Sequence, residues 1–548
     1  MKSKSKPIGL RYWMLRVLEE CDNVASNFSA DPVHDLRVSL RRCRSLADGM
    51  MAMDPDPSWK DMKKAGKALF QRLGDLRDLQ IMMEWIEKLE ARVDRTETVE
   101  EKTQEISESV DGGSNEDGQE SSHDPAAQAL LHTLRSRETE QKQEARSALV
   151  EFDRKQWRQW AKTQPARAGR IRPGSAVFKH LALERWTAAR ELHTRAMRTR
   201  SQVALHTLRI GIKRFRYIVE NFLPAEHALW GDDLKHMQDL LGEVHDLDVL
   251  WATALSCHVF LNEASRNAWH ERIVKERTKR IDGYRARTVG ADSLWHVWRA
   301  GLPQGKQVQE IATRRMKLWA KVLDPDFAHS ERVARLSLQL YDSIHAAGLF
   351  RRQSLVHNGD ANHERESLYV AALLHDVGKS EGDKGHHKES LKLIKKHGTP
   401  LGWKEEDMLR AGLVARFHTG ALPVRSHKAM RDLLPEEQRT VVRLAAILRL
   451  ANALDATHDG NIRRVKLENP IDRTGVRRTN GFLRKPAGLP KNEALVIGAE
   501  GYLDGTSRAQ AVAAERYLLE TVIGHPVLVR PASGARHSTS AARVSPRS

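Results

Sequence analysis

His375 and Asp376 stand side by side in VAALLHDVGKSEGDKGHHKES (residues 370–390), where an apolar helical run gives way to a glycine-containing loop. An imidazole beside a carboxylate suits a divalent ion of the Mn, Mg, Fe or Zn type. Such an ion activates water and clamps a phosphoryl oxygen, and Lys379, three residues on, could steady the negative charge. His375, Asp376 and Lys379 are therefore the candidate catalytic set. Further imidazoles flank them. His329 opens the amphipathic stretch DFAHSERVARLSLQLYDSIH, and His386, His387 and His418 follow downstream.

A second set of residues points to anion binding. HDLRVSLRRCRS begins at His34, and HTLRIGIKRFRY begins at His206. On a helix, His34, Arg37, Arg41 and Arg44 fall within an arc of about 80°, with Leu36, Leu40 and Cys43 opposite. His206, Arg209, Lys213 and Arg216 repeat that face, backed by Leu208, Ile212 and Phe215, while Arg42 and Arg214 flank the two stripes. Like charges on one helical face repel, so the recurrence points to an external anion in a groove between the halves. Histidines in that groove would gain charge as pH falls. The internal alternative is pairing with Asp75, Asp78, Glu243 and Asp246 on neighbouring helices.

These residues need elements to hold them. The chain has 548 residues, is 30% charged and only 6% aromatic, and reads as two or three mainly α domains. LGDLRDLQIMM (73–83) matches LGEVHDLDVLW (241–251), so the basic stripe belongs to a larger duplicated helical unit. Residues 95–124 hold ten acidic and two basic residues and are expected to be a disordered insert. The net charge of +18 then becomes +26 for the rest of the chain, an excess that favours a polyanionic partner. Further breaks are expected at 163–176 and 299–307, and a disordered tail over 532–548. EALVIGAEGYL and HPVLVRP read as strands around a helix. Cys21, Cys43 and Cys257 lack paired spacing, and the densest apolar run, VVRLAAILRLANAL, is too short and too charged to span a bilayer. The expected setting is the cytoplasm.

PVHDLRVSLRRCRS and LHTLRIGIKRFRYIVENF, each followed by an LG…D string, resemble the two halves of a CHAD domain, the conserved-histidine α-helical domain. The resemblance covers about 7–298, with repeats at 7–162 and 173–298. It implies two helical bundles around a basic channel for inorganic polyphosphate, lined by His34, Arg37, Arg41, Arg42, Arg44, His206, Arg209, Lys213, Arg214 and Arg216. AHSERVARLSLQLYDSI, LLHDVGKS, VARFHTGALP and LRLANALDATH resemble, in that order, the HD metal-dependent phosphohydrolases and the C-terminal region of the exopolyphosphatase/guanosine-pentaphosphatase family. That likeness implies an all-α HD domain over 310–465 and a small α+β appendix over 466–531. It implies a metal set of His329, His375, Asp376, His387 and His418. Where that family commonly reads LADALD, this chain reads LANALD. Asn452 thus takes the place of a ligating carboxylate, and Asp455 is the candidate substitute. The ATPase-like domains that carry catalysis in exopolyphosphatases have no counterpart, since no Gly-rich phosphate loop is present.

Three functions are open at this point. The chain could bind polyphosphate and hydrolyse it, or a phosphorylated nucleotide, with a divalent metal. It could be a polyphosphate-docking scaffold with a degenerate HD domain; on either reading polyphosphate granules and their proteins are candidate partners. A nucleic-acid binder fits the charge, but the basic face lacks interleaved aromatics and no reading motif is present.

Overall fold

The computed structural model describes residues 9–105, 124–350, 358–468 and 494–532. The chain divides into two compact units, Met1–Gln307 and Val308–Ser548. Among the described residues no helix is long and apolar enough to cross a membrane.

The first unit is two five-helix sets. One comprises α1 (Leu10–Ser26), α2 (Ala30–Met51), α3 (Pro57–Glu105), α4 (Pro125–Glu151) and α5 (Arg154–Ala168). The other comprises α6 (Ala176–Thr199), α7 (Gln202–Phe222), α8 (Pro224–Ser256), α9 (Glu263–Thr288) and α10 (Leu294–Ala300). Each basic stretch lies on the second helix of its set, packed between the first and third. Helix starts follow capping chemistry: Ser201 Oγ accepts from Ala204 N, and Asn262 Oδ1 accepts from Ser265 N. The apolar faces read from sequence are the buried ones, since Leu36, Leu40, Cys43, Leu208, Ile212 and Phe215 are fully enclosed.

The two sets meet through α2 against α7 and α3 against α8. Gly49 has no side chain because the Phe222 ring occupies that space, and Phe222 stacks on Phe178 at 4.2 Å. Beside this contact Arg42 pairs with Glu220, Arg216 lies 3.6 Å from the same carboxylate, and Asn221 Nδ2 donates to Ser45 Oγ at 2.8 Å. Glutamine in place of Glu220 would leave two half-buried guanidiniums without a counter-charge. Urea unfolding of that variant is expected to show a loss of about 3 kcal/mol.

Two expectations about breaks change. Helix α3 runs through 95–105, so the acidic segment begins inside a helix; its glutamates, with Arg95 and Lys102, are good helix formers despite their charge. Asp124 caps α4, accepting from Ala126 N, and residues 106–123 lie outside the described residues. Likewise α5 continues past Pro165 to Ala168 before the chain turns.

The second unit contains α11 (Lys306–Leu323), α12 (Phe327–Ala346), α13 (Asn358–Leu374), α14 (His386–His397), α15 (Glu405–Arg416), α16 (Pro435–Leu454) and α17 (Ser507–Ile523). A three-stranded sheet joins them: β1 (Arg464–Leu467), β2 (Leu495–Glu500) and β3 (Val527–Pro531). Helix α17 connects β2 to the parallel β3, with Ile497 opposite Val529, as expected. Strand β1, absent from the sequence reading, pairs antiparallel to β2, with Val465 opposite Ala499. Helices and sheet share one apolar core. The arginines of VVRLAAILRLANAL are both neutralised: Arg443 pairs with Glu364 at 2.7 Å and Arg449 with Glu515 at 2.6 Å. Residues 533–548 lie outside the described residues.

Candidate functional sites

In the first unit the stripes of α2 and α7 converge. Arg37, Arg41 and Arg209 all act electrostatically on Lys213, and Asp78 and Asp246 lie near the same cations. Nearness is not pairing. Among the described residues, none of Arg37, Arg41, Arg44, Arg209 and Lys213 has a carboxylate in ion-pair contact. Arg37 Nη1, Arg41 Nε and Arg44 Nη1 are buried without a hydrogen-bond partner. A buried, unpaired donor on a charge is costly, and an entering anion would satisfy several at once.

Aromatic rings support these cations from behind. The guanidiniums of Arg37 and Arg44 lie 5.2 and 5.0 Å from the centre of the Phe70 ring, and Arg41 lies 5.6 Å from Tyr217. Phe70 and Tyr217 had no signal in the stripe pattern, because Phe70 comes from α3 and Tyr217, the last residue of the second motif, reaches an arginine of the other half, Arg41.

The repeated positions are not equivalent. Arg42 and Arg216 turn to Glu220, and Arg214 is exposed, so these three do not share the central cluster. Arg42 stands about 100° from Arg41 on the helix, which aims it at α7. His34 is exposed, and Arg77 near it pairs with Glu84 at 2.9 Å; in the second half His206 Nδ1 lies 3.3 Å from His245 Nδ1. Burial and neighbouring cations lower the pKa values of His34 and His206, and that of His245 to about 4. The downward shifts move the expected gain of charge on these rings to more acid pH. The titrating group is Lys213, which burial first, and then Arg209, Arg41 and Arg37, pull down to about 7. Burial likewise pushes Asp246 up to about 6, with Arg209 opposing.

In the second unit the tertiary fold brings four imidazoles to Asp376. His375 and Asp376 occupy the turn after α13, His386 starts α14, and His418 follows α15. Each ring is oriented through Nδ1, which donates to the carbonyl of Ala372 in His375 (2.7 Å), of Asp383 in His386 (2.8 Å) and of Ala415 in His418 (2.7 Å). In the neutral rings the lone pair then sits on Nε2. Those Nε2 atoms converge: His375 is 3.3 Å from Asp376 Oδ2, while His386 and His418 are 3.3 and 3.6 Å from Oδ1. His386 and His418 Nε2 are 3.1 Å apart.

Two triads result, His329–His375–Asp376 and Asp376–His386–His418, with the carboxylate common to both. His375 Nε2 and Asp376 Oδ1 are buried without hydrogen-bond partners. Converging lone pairs, a shared carboxylate and orphaned buried atoms fit a divalent cation. Burial opposes the charge on Asp376, yet His375 and its neighbours hold that carboxyl far below its usual range. Lys379 Nζ sits 2.6 Å from Asp376 Oδ2.

Two expected ligands are placed elsewhere. His387 is the neighbour of the residue that reaches Asp376; adjacent helical positions differ by about 100°, so His386 takes that role, and the doubled histidine in the sequence could not choose between them. Asp455 lies behind His329, 2.8 Å from its Nδ1 and 2.9 Å from Arg332 Nε. It follows the end of α16 with φ −112° and ψ 23°, so the helical extrapolation to Asn452's face fails. Asp455 orients the ring, and Asn452 Oδ1 faces His329 Nε2 at 2.9 Å. His458, which closes the LRLANALDATH string but was given no role there, stacks on His329 with ring centres 3.8 Å apart and is tied to Asp326 at 2.7 Å.

The turn is locked from below. Ser390 Oγ donates to His375 O at 2.7 Å and accepts from Gly378 N at 2.9 Å. A Cβ at Gly378 would lie against the His386 carbonyl and 2.6 Å from Ser390 N, both backbone atoms. Alanine there must push α14 away. A loss of about 1–3 kcal/mol by thermal unfolding is expected, together with weaker Mn²⁺ binding as His386 leaves Asp376.

Fold and sites together define a helical protein of two modules, one a duplicated bundle around a cationic cluster, the other built on an imidazole–carboxylate centre. Residues 14–255 match the family model of the CHAD domain, and residues 310–496 match that of the Ppx/GppA phosphatase, domain III. The chain thus carries a CHAD domain followed by a Ppx/GppA domain III. No curated protein matches the chain.

Proposed function

We propose that this protein binds inorganic polyphosphate at the α2–α7 cluster and uses its second module as a metal-dependent phosphohydrolase centre for polyphosphate or a phosphorylated nucleotide. The observation that carries the reading is the cluster of Arg37, Arg41, Arg44, Arg209 and Lys213, which among the described residues lacks ion-paired carboxylates and holds orphaned guanidinium nitrogens. A linear chain of phosphates offers closely spaced oxygens to several of these donors at once, as a single carboxylate does not. The likeness to CHAD and Ppx/GppA modules points the same way.

In the second module His375, His386, His418, His329 and Asp376 would hold the cation, with Asn452 offering an amide oxygen. A bound divalent ion supplies a polarised water and charge for a phosphoryl oxygen. Asp455 fixes the tautomer of His329, the Nδ1–carbonyl bonds fix the other rings, and Lys379 adds positive charge beside Asp376. One observation favours a second reading, a docking scaffold without hydrolysis: Asn452 stands at His329 Nε2, and an amide is a weaker metal ligand than a carboxylate.

The test pairs two measurements. Titration with long-chain polyphosphate across a salt series checks binding, which should weaken steeply with salt. Released phosphate from polyphosphate and a nucleotide panel with Mn²⁺, against an Asp376→Ala control, checks hydrolysis. Metal binding without release from any substrate selects the scaffold; no salt-dependent binding ends the polyphosphate reading.

A further inference from the structure

Arg416 is the last residue of α15, two positions before His418, and is only 6% exposed. Its Nη1 is buried without a hydrogen-bond partner, and among the described residues it has no ion pair. Other buried arginines of this unit differ. Arg443 pairs with Glu364, and Arg410 with Asp407 and Glu437. Arg449 pairs with Glu515 and donates to the carbonyls of Phe417 and Gly420, so it braces the turn that carries His418. Among the described residues, the Phe417 ring lies 5.4 Å from the Arg416 guanidinium carbon. His387, left over from the imidazole cluster, is its neighbour in charge: burial and then Arg416 lower that ring's pKa. His387 in turn lies 6.5 Å, ring centre to ring centre, from His418.

An unpaired guanidinium in the interior is destabilising unless a ligand completes it, and a planar fork of donors matches phosphate oxygens. We propose that Arg416, with His387 beside it, forms an anion subsite next to the Asp376–His386–His418 triad and receives a terminal phosphate of the substrate. The inference rests on the reading of this module as a phosphohydrolase centre. It adds the position of the substrate: the terminal phosphate is held by Arg416, while the bond to be cut lies toward Asp376.

The experiment uses the full chain with Arg37, Arg41, Arg209 and Lys213 exchanged for glutamine, so that the first module is silent, and titrates it with pyrophosphate by calorimetry. Adding Arg416→Met is expected to weaken pyrophosphate at least tenfold, with Arg416→Lys between the two. Mn²⁺ affinity is expected to stay unchanged in both. Removal of an unpaired buried charge should leave the melting temperature of the Arg416→Met chain equal or higher, while the rise that pyrophosphate causes in the parent disappears. Equal pyrophosphate affinity with and without Arg416, no pyrophosphate binding by the parent, or a melting temperature lowered by several degrees in Arg416→Met overturns the subsite. Failure of the underlying reading looks different: wild-type chain with Mn²⁺ releases no phosphate, yet pyrophosphate binding still depends on Arg416.

Discussion

Exchange of Arg37, Arg41, Arg209 and Lys213 for glutamine is expected to weaken long-chain polyphosphate binding at least a thousandfold. Each charge-assisted contact contributes about 1.5–3 kcal/mol, and neighbouring contacts add incompletely, which sets the lower bound. The variant should also lose salt dependence. If each cation displaces counterions about as it does on a single-stranded nucleic acid, roughly 0.7 per contact, the slope of log affinity against log salt should fall by about 3. The unfolding midpoint should not drop, because among the described residues these cations have no ion pairs to lose, and they repel one another. An unchanged affinity would remove the cluster as a binding site.

The same site has a pH signature. Lys213 has a pKa of about 7 in the free protein because burial and three arginines oppose its charge. A bound polyanion favours the charged form, so binding takes up a proton once the pH exceeds that value. Affinity is therefore highest on the acid side and falls as pH rises through about 7, approaching tenfold per pH unit for this one group. Asp246 adds to the trend, since its carboxylate, pushed up to about 6 by burial, becomes negative over the range just below. Lys213→Gln should flatten the profile above pH 6.5 while leaving the salt dependence largely in place. A pH-independent affinity between 6 and 8 would show that Lys213 does not face the ligand.

The second large effect is expected at Asp376. Its carboxylate serves both imidazole triads, so Asp376→Asn should lower divalent-metal affinity by more than the roughly hundredfold cost of losing an outer-shell partner. Asp455→Asn, which reaches the metal centre through the His329 tautomer and otherwise weakens the Arg332 pair, should stay within about 10–100-fold. Calorimetric titration with Mn²⁺ separates the two. Removing the buried charge also leaves His375, His386 and Lys379 without their common counter-charge, at about 3–5 kcal/mol in the metal-free protein. Equal Mn²⁺ affinity in wild type and Asp376→Asn would mean that the ion binds elsewhere.

Asp376 also shows where the sequence was informative. An imidazole and a carboxylate adjacent in the chain stay adjacent in space, so His375 and Asp376 could be named before any fold was known. The basic stripes were legible for a similar reason: side-chain direction repeats every 3.6 residues, and a cationic face is written directly into the order of residues. The strands β2 and β3 announced themselves by apolar runs at the ends of a helix, whereas the four residues of β1 carry no such run.

What remained depended on contacts between distant segments. Helical phase chose His386 over His387 and sent Arg42 to Glu220. The end of α16 at Leu454 turned Asp455 behind His329, where it orients a ring. Phe70, Tyr217, His458 and Arg416 acquire their roles only from the helices packed against them. Residue types and local periodicity follow from the chain alone, since they act over a few bonds. The direction of a side chain at a helix end, the partner that neutralises it, and the burial that shifts a pKa follow from packing, which joins residues more than a hundred positions apart.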